Sequence, residues 1–310
     1  MKKNIFLSII FLVILGYIEI FEFKLPHLIV SQILTIRLWR LFLGIYGGAV
    51  LGITGVIMQS ITGNPLMDPY LSGVSAGAGF GGVVIIALLG SSIMNILFGT
   101  FIGGFIAFFT VYFILKLVKS FSGGAIVLTG LSIGFLYSSL MIIAMMIGKV
   151  GWGRVIFMLY GNLNRPISHS GIILFLILFA LSIPMIVYSF VKWKDLNLIL
   201  LGDNSSKAMG VNVVVLKEIF LLIVSFLIAV TVSFAGMIGF IGIMAPHISR
   251  KIVGGDHRFL MVSSIIMGGV ILLFSDILSR KLFPVQLPIT VISSLLGVPF
   301  FLYLLLRNRK

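Results

Sequence analysis

Long apolar runs separated by short polar breaks make up almost the whole chain. The runs lie at 5–21, 37–61, 72–89, 93–115, 125–147, 168–191, 214–235, 238–252, 259–280 and 287–306. A helix crossing a hydrocarbon core needs roughly 20 apolar residues, so the pattern predicts about ten helices in lipid. The third and eighth runs are short and interrupted by glycine or proline. The longest polar break in the second half lies within LILLGDNSSKAMGVNVVVLKE, residues 198–218, where Asp203, Asn204, Ser205, Ser206 and Lys207 stand together with Gly210 close behind. Asp203 or Asn204 can cap a helix start by accepting free backbone N–H groups, and Gly210 can end the helix in the left-handed conformation. The stretch therefore reads equally as a short capped helix and as a loop with capping residues.

Composition agrees with a membrane solvent. Of the 310 residues 60% are hydrophobic and 10% charged, against about 25% charged in soluble domains. The net charge of +14 would point to nucleic acid in a soluble protein, but here the cations gather at the ends of apolar runs. With the amino terminus inside, ten spans place 14 Lys and Arg residues inside and 8 outside. That bias follows the positive-inside rule, puts both termini and residues 198–218 in the cytoplasm, and leaves no case for a nucleic-acid partner. The first run has the charge and apolar length of a signal peptide but no convincing cleavage site, so it reads as a retained helix.

The absence of cysteine excludes disulfides and thiolate metal sites, and His27, His169, His247 and His257 lack close ligand spacing. GAGFGG at 77–82 matches a dinucleotide fingerprint, yet no predicted strand precedes it and no acid follows at the ribose distance. GVSAG (73–77) and GLSIG (130–134) match a nucleophile elbow but sit inside apolar helical runs. Gly44, Gly48 and Gly52, and Gly73, Gly77 and Gly81, recur every four residues and read as smooth packing stripes within one subunit. No P-loop motif occurs. All eight acids fall in loops or near helix ends, Asp276 coming nearest to an exception with Arg280 at i+4. Ion-coupled carriers usually hold acids deep in the membrane, so a transporter of this sequence needs an external motor. TGVIMQSITGNP (54–65) and AGMIGFIGIMAP (235–246) echo each other, a weak sign of an internal repeat.

Four blocks, in order across residues 37–306, resemble the FecCD/BtuC-like permeases, the iron-chelate and cobalamin class of ABC importer subunits. They are RLWRLFLGIYGGAVLGITGVIMQSITGNPLMDPYLSGVSAGAG, LGDNSSKAMGVNV, AGMIGFIGIMAPHISRKIVGGDHRFL and DILSRKLFPVQLPITVISSLLGVPFFLYLL. The resemblance implies an all-α polytopic fold of about ten transmembrane helices, the BtuC-like type II importer permease fold with an inverted internal repeat. It implies one permease domain over 1–310, with a cytoplasmic coupling segment at 194–213. It further implies a homodimer, two cytoplasmic ATPase subunits carrying ATP and Mg, an extracytoplasmic binding protein, and an iron-chelate or corrinoid cargo. The location implied is the cytoplasmic membrane of a bacterium or archaeon, and the chain itself would be no enzyme and hold no cofactor.

On the same resemblance Leu201, Gly202, Asp203, Lys207, Ala208, Met209, Gly210 and Val211 occupy the ATPase-coupling positions. Arg37, Arg40 and Arg280 match outer-face arginines that dock the binding protein, and arginine suits carboxylate partners through its planar fork. Asn64 and Leu66 match the constriction at the cytoplasmic exit, where Pro65 and Pro69 would in any case end a helix. Trp39 departs from the family between the two arginines, which would alter the docking face. SGGA at 122–125 carries two glycines that would loosen the exit there. His247 and His257 read as structural groups at a helix junction rather than metal ligands. The alternative reading is a secondary transporter or exporter working without an ATPase.

Overall fold

The computed structural model describes residues 2–21, 30–151, 153, 155, 159–164, 168–282 and 284–307. Among them the chain forms twelve α-helices and one 3-10 turn (Pro69–Ser72), with no strand. The helices are α1 Lys2–Phe21, α2 Val30–Thr62, α3 Val74–Leu89, α4 Ile93–Val118, α5 Gly123–Ile147, α6 His169–Val191, α7 Trp193–Ile199, α8 Asp203–Ala208, α9 Val213–Ala235, α10 Ile241–Val253, α11 His257–Lys281 and α12 Ile289–Arg307. Ten of them coincide with the ten apolar runs to within a few residues at most ends, and α3 and α10 are the short ones, as expected. The apolar run seen from 37 begins earlier, at Val30.

Short polar side chains start these helices as capping chemistry dictates. Ser92, Ser122 and Ser168 each accept the backbone N–H of the residue three further on, in α4, α5 and α6. Asn212 caps α9 in the same way, and Asp256 caps α11 through the Arg258 N–H at 3.0 Å.

Among the described residues six helices (α2, α4, α5, α6, α9 and α11) are long and apolar enough to cross a membrane, and α1, α3 and α12 contain shorter apolar stretches. Burial sorts the six into two groups. The apolar windows of α2, α9 and α11 are 78%, 72% and 72% buried, whereas those of α4, α5 and α6 are 33%, 22% and 22% buried. The first three therefore form the core, and the others turn side chains such as Leu117, Phe135 and Ile147 outward, where only lipid or another apolar surface could cover them.

The glycine stripes bring core helices to backbone contact within the subunit. A Cβ on Gly52 of α2 would lie 2.0 Å from the Ser264 carbonyl oxygen of α11, and Gly48 meets Gly268 as closely. Gly77 and Gly81 of α3 face Gly103 and Gly99 of α4 in the same manner, so GAGFGG is a packing surface. The echoing segments 54–65 and 235–246 take different backbones. The first is helical to Thr62, while 236–239 has no regular structure, with Gly236 at φ 78°, and α10 starts only after Phe240, a non-glycine residue at φ 70°.

Candidate coupling segment, exit turn and outer arginines

Residues 193–211 form a compact knob at one end of the bundle. α7 runs straight out of α6, packs Leu196 and Ile199 into the core, and turns into α8 through Gly202, whose φ is 96°. Gly202 is the cap of α8. Asp203 and Asn204 make no capping bond, which corrects the sequence reading: Asp203 is the first helical residue, and its carboxylate accepts two hydrogen bonds of 2.8 Å from Lys217 Nζ of α9. The Lys217 side chain is 3% exposed, and desolvating an ammonium requires such a partner. Ser206, fully buried, donates to the carbonyls of Leu198 (2.7 Å) and Gly202 (2.8 Å), stapling α8 to α7.

Gly210 ends α8 as expected, at φ 85°. The Val211 N–H reaches the Ser206 carbonyl and the Gly210 N–H the Lys207 carbonyl, a Schellman closure. This pinned frame leaves Leu200, Leu201 and Met209 exposed, each by half or more, beside the exposed Lys207 and Ala208.

At the same end α2 stops at Thr62. Asn64 Oδ1 accepts the Leu66 N–H at 2.9 Å, a tight turn that leaves Leu66 51% exposed. Gly123, at the start of α5, lies against this end: a Cβ there would sit 2.0 Å from the Thr62 carbonyl oxygen, while Gly124 faces open space. The first glycine of SGGA therefore tightens the contact between α5 and α2 rather than loosening it. Beyond the turn, Asp68 accepts the backbone N–H groups of Tyr70 (2.9 Å) and Phe240, and the Tyr70 hydroxyl accepts that of Ile238 at 3.0 Å. Burial pushes the Asp68 carboxyl up to about 6, against the opposing pull of those two donors.

His257, in the D-H-R block, is fully buried between α2 and α7, bonded to Ser60 and Asn197. The Asn197 amide also donates to Asp256 (3.0 Å), and that bond together with the Arg258 N–H holds the Asp256 carboxyl below its ordinary value. His247 stands edge-on to Phe300 at 5.7 Å. Among the described residues no group of three or more His, Cys, Asp or Glu could hold a metal ion.

The three arginines meet at α1. Arg37 Nη1 donates to the Ile20 carbonyl at 2.6 Å. Arg280 bonds Glu19 directly and lies 3.2 Å from Asp276, its i+4 partner, and Arg40 stands 3.6 Å from Glu19. The side chains of Glu19 and Asp276 are fully buried, that of Arg40 is 8% exposed and that of Arg280 19%. Two acids and two arginines thus form a compensated cluster inside the subunit. The sequence reading missed Glu19, whose only signal is an acid two residues before the end of α1, after the long apolar stretch of that helix. Trp39 turns away from this cluster onto Phe175, at a ring distance of 5.1 Å, and so belongs to an aromatic core rather than to a docking face.

The bundle turns apolar side chains outward and carries a pinned, partly apolar knob beside the turn at 62–66. The profile of the FecCD transport family matches residues 4–307, and the chain belongs to that family. It is 36% identical over 279 residues to a Helicobacter pylori protein named as an iron chelatin transport system permease, covering 89% of this chain and 83% of the relative. It is 33% identical over 300 residues to the cobalamin import system permease protein BtuC of Halobacterium salinarum, covering 96% and 79%. Among solved structures it resembles an inward-facing ABC transporter assigned to the metal-chelate type, with a TM-score of 0.84, 28% identity and 98% of both chains covered.

Proposed function

We propose that this chain is the membrane-spanning subunit of an ATP-driven importer for an iron chelate or a corrinoid, working by alternating access as a dimer of identical copies. In this reading it crosses the membrane ten times, the six long spans joined by α1, α3, α10 and α12, with both termini in the cytoplasm. The observation that carries the reading is the knob. Its frame is fixed by Asp203–Lys217, Ser206 and Gly210, while Leu201, Lys207, Ala208 and Met209 stand free on its surface. A rigid frame beneath an exposed mixed surface suits docking of a motor that pushes, and the sequence itself lacks a nucleotide-cradling motif. Two cytoplasmic ATPase subunits supply ATP and Mg, and a binding protein delivers cargo from outside.

Asn64 and Leu66 form the exit seal, an amide and an apolar side chain that pass a cargo without holding it. A cargo already wrapped by its chelator needs no strong ligand from the path. At the outer face Arg37 and Arg280, partly exposed, meet carboxylates of the binding protein, whereas Arg40 is held behind them by Glu19 and acts by positioning. The secondary-transporter reading gains nothing from the buried acids, because Glu19 and Asp276 are neutralised by arginines.

The test is uptake in proteoliposomes containing this chain, the ATPase and the binding protein encoded with it, the binding protein first being titrated with ferric siderophores, haemin and cobalamin. Uptake is expected to require both ATP and the ATPase. Uptake that survives without either would overturn the reading.

A further inference from the structure

Ser60 lies 197 residues before His257 in the chain and Asn197 lies 60 before it, and none belongs to the knob's docking surface or to the exit turn. They meet at the knob end of the bundle. His257 Nδ1 lies 2.5 Å from Asn197 Oδ1 on α7, and Nε2 lies 2.6 Å from Ser60 Oγ on α2. The roles of the atoms are set by what surrounds them. Asn197 gives its amide N–H to Asp256, and its oxygen also receives the His257 backbone N–H at 3.0 Å. The oxygen therefore faces the ring and the proton lies on Nδ1, so the unprotonated Nε2 of the neutral ring accepts the Ser60 hydroxyl, which also has the Val56 carbonyl within 2.7 Å.

The two ends of this chain of bonds sit on the parts that must move together. Asn197 lies on α7, which Ser206 staples to α8 through Leu198, so the knob and Asn197 form one piece. Ser60 lies two residues before the end of α2, and Thr62 and Asn64 follow into the exit turn. Apolar packing between α7 and α2 allows sliding, whereas directional bonds through a buried ring fix the register of one helix against the other.

We infer that Asn197, His257 and Ser60 are positioning residues that pass displacement of the knob to the exit turn. The inference rests on the reading of the knob as the ATPase docking element. It names a physical link between two sites, which only a coupling measurement can test.

The chain has no cysteine, so Leu66→Cys provides a single thiol at the exit. With the ATPase partner in nanodiscs, the rate of its modification by a hydrophilic maleimide is measured without nucleotide and after ATP–vanadate trapping. The rate is expected to change severalfold in the parent chain. With Ser60→Ala or His257→Phe added, the ratio is expected to fall toward unity while the ATPase still co-purifies and hydrolyses ATP. Ser60→Thr, which keeps the hydroxyl, is expected to restore the response. Ser60→Ala with Asn197→Ala is expected to lose no more than either alone, because both cut one chain of bonds. Should His257→Phe fail to fold, Ser60→Ala carries the test, since only a hydroxyl is lost. A full nucleotide response in Ser60→Ala would overturn the relay. Failure of the parent chain itself to capture the ATPase would overturn the reading beneath it, and the relay with it.

Discussion

At the scale of single residues, glycine does two different jobs in this chain, and only one is visible in its spacing. Gly52 lies where α2 and α11 touch through backbone, and a methyl group there would overlap the Ser264 carbonyl. Gly124 lies one residue past a tight contact and faces open space. Gly52→Ala is expected to destabilise by about 1–3 kcal/mol or more, the cost of overpacking a close interface. Gly124→Ala is expected to be neutral or to stabilise α5 by about 0.5–1 kcal/mol, as alanine does in a helix. Thermal unfolding of both variants in detergent checks the contrast, and equal midpoints would refute it. The four-residue period made the first glycine legible. Nothing in SGGA distinguished Gly123 from Gly124, because the difference lies in Thr62, 61 residues before Gly123.

At the scale of elements, the apolar runs made ten helices legible because an apolar environment, core or lipid, selects on length and hydrophobicity, which any window of sequence displays. α7 was not legible. Its seven residues, WKDLNLI, are too few to show a period, and their helical state depends on Leu196 and Ile199 packing into the core. α8 was legible at its carboxyl end, where Gly210 has one role, and misread at its start, where the polar residues had several. In the sequence Asp203 or Asn204 can serve as a local cap, but the partner of Asp203 is Lys217, fourteen residues on and in another helix. Two predictions follow from that frame. Asp203→Asn leaves the buried Lys217 ammonium without its counter-charge and is expected to cost about 1–3 kcal/mol, whereas Lys217→Met removes the charge with its need and is expected to cost less. Chemical denaturation of both variants and of the double variant would expose the difference, and a costlier Lys217→Met would contradict it. Gly210→Pro removes the N–H that bonds Lys207 and forbids φ 85°, so it is expected to unwind the end of α8. That variant, and the charge reversal Lys207→Glu at the exposed surface, are expected to leave ATP hydrolysis running while cargo uptake falls. Normal uptake in both would remove the knob from the coupling mechanism.

At the scale of the whole molecule, distant parts of the chain are joined by polar contacts that no local pattern announces. Glu19 binds Arg280 across 261 residues, and His257 binds Ser60 across 197. The joint most open to a solution test is that between the 68–70 turn and the 238–240 segment, where Asp68 and Tyr70 receive the backbone N–H groups of Phe240 and Ile238. The Asp68 carboxyl is pushed up to about 6 by burial, whereas an unfolded aspartate titrates near 4, at about 3.9. Between those values the folded chain keeps a proton that the unfolded chain has released. Its contribution to stability is therefore fully present below about pH 4 and is lost as pH rises through about 6. Asp68→Asn mimics the protonated acid, keeps an oxygen for the Tyr70 N–H and cannot titrate. Other groups titrate in the same window, so the informative quantity is the difference between the two proteins. From about pH 4.5 to about pH 7.5 the variant is expected to gain on the parent by on the order of 2 kcal/mol, since each unit of pKa displacement is worth about 1.4 kcal/mol. Unfolding midpoints in detergent across that range measure the gain. Parallel pH profiles would show that Asp68 titrates as it does in the unfolded chain, and that the joint is held by Tyr70 and packing alone.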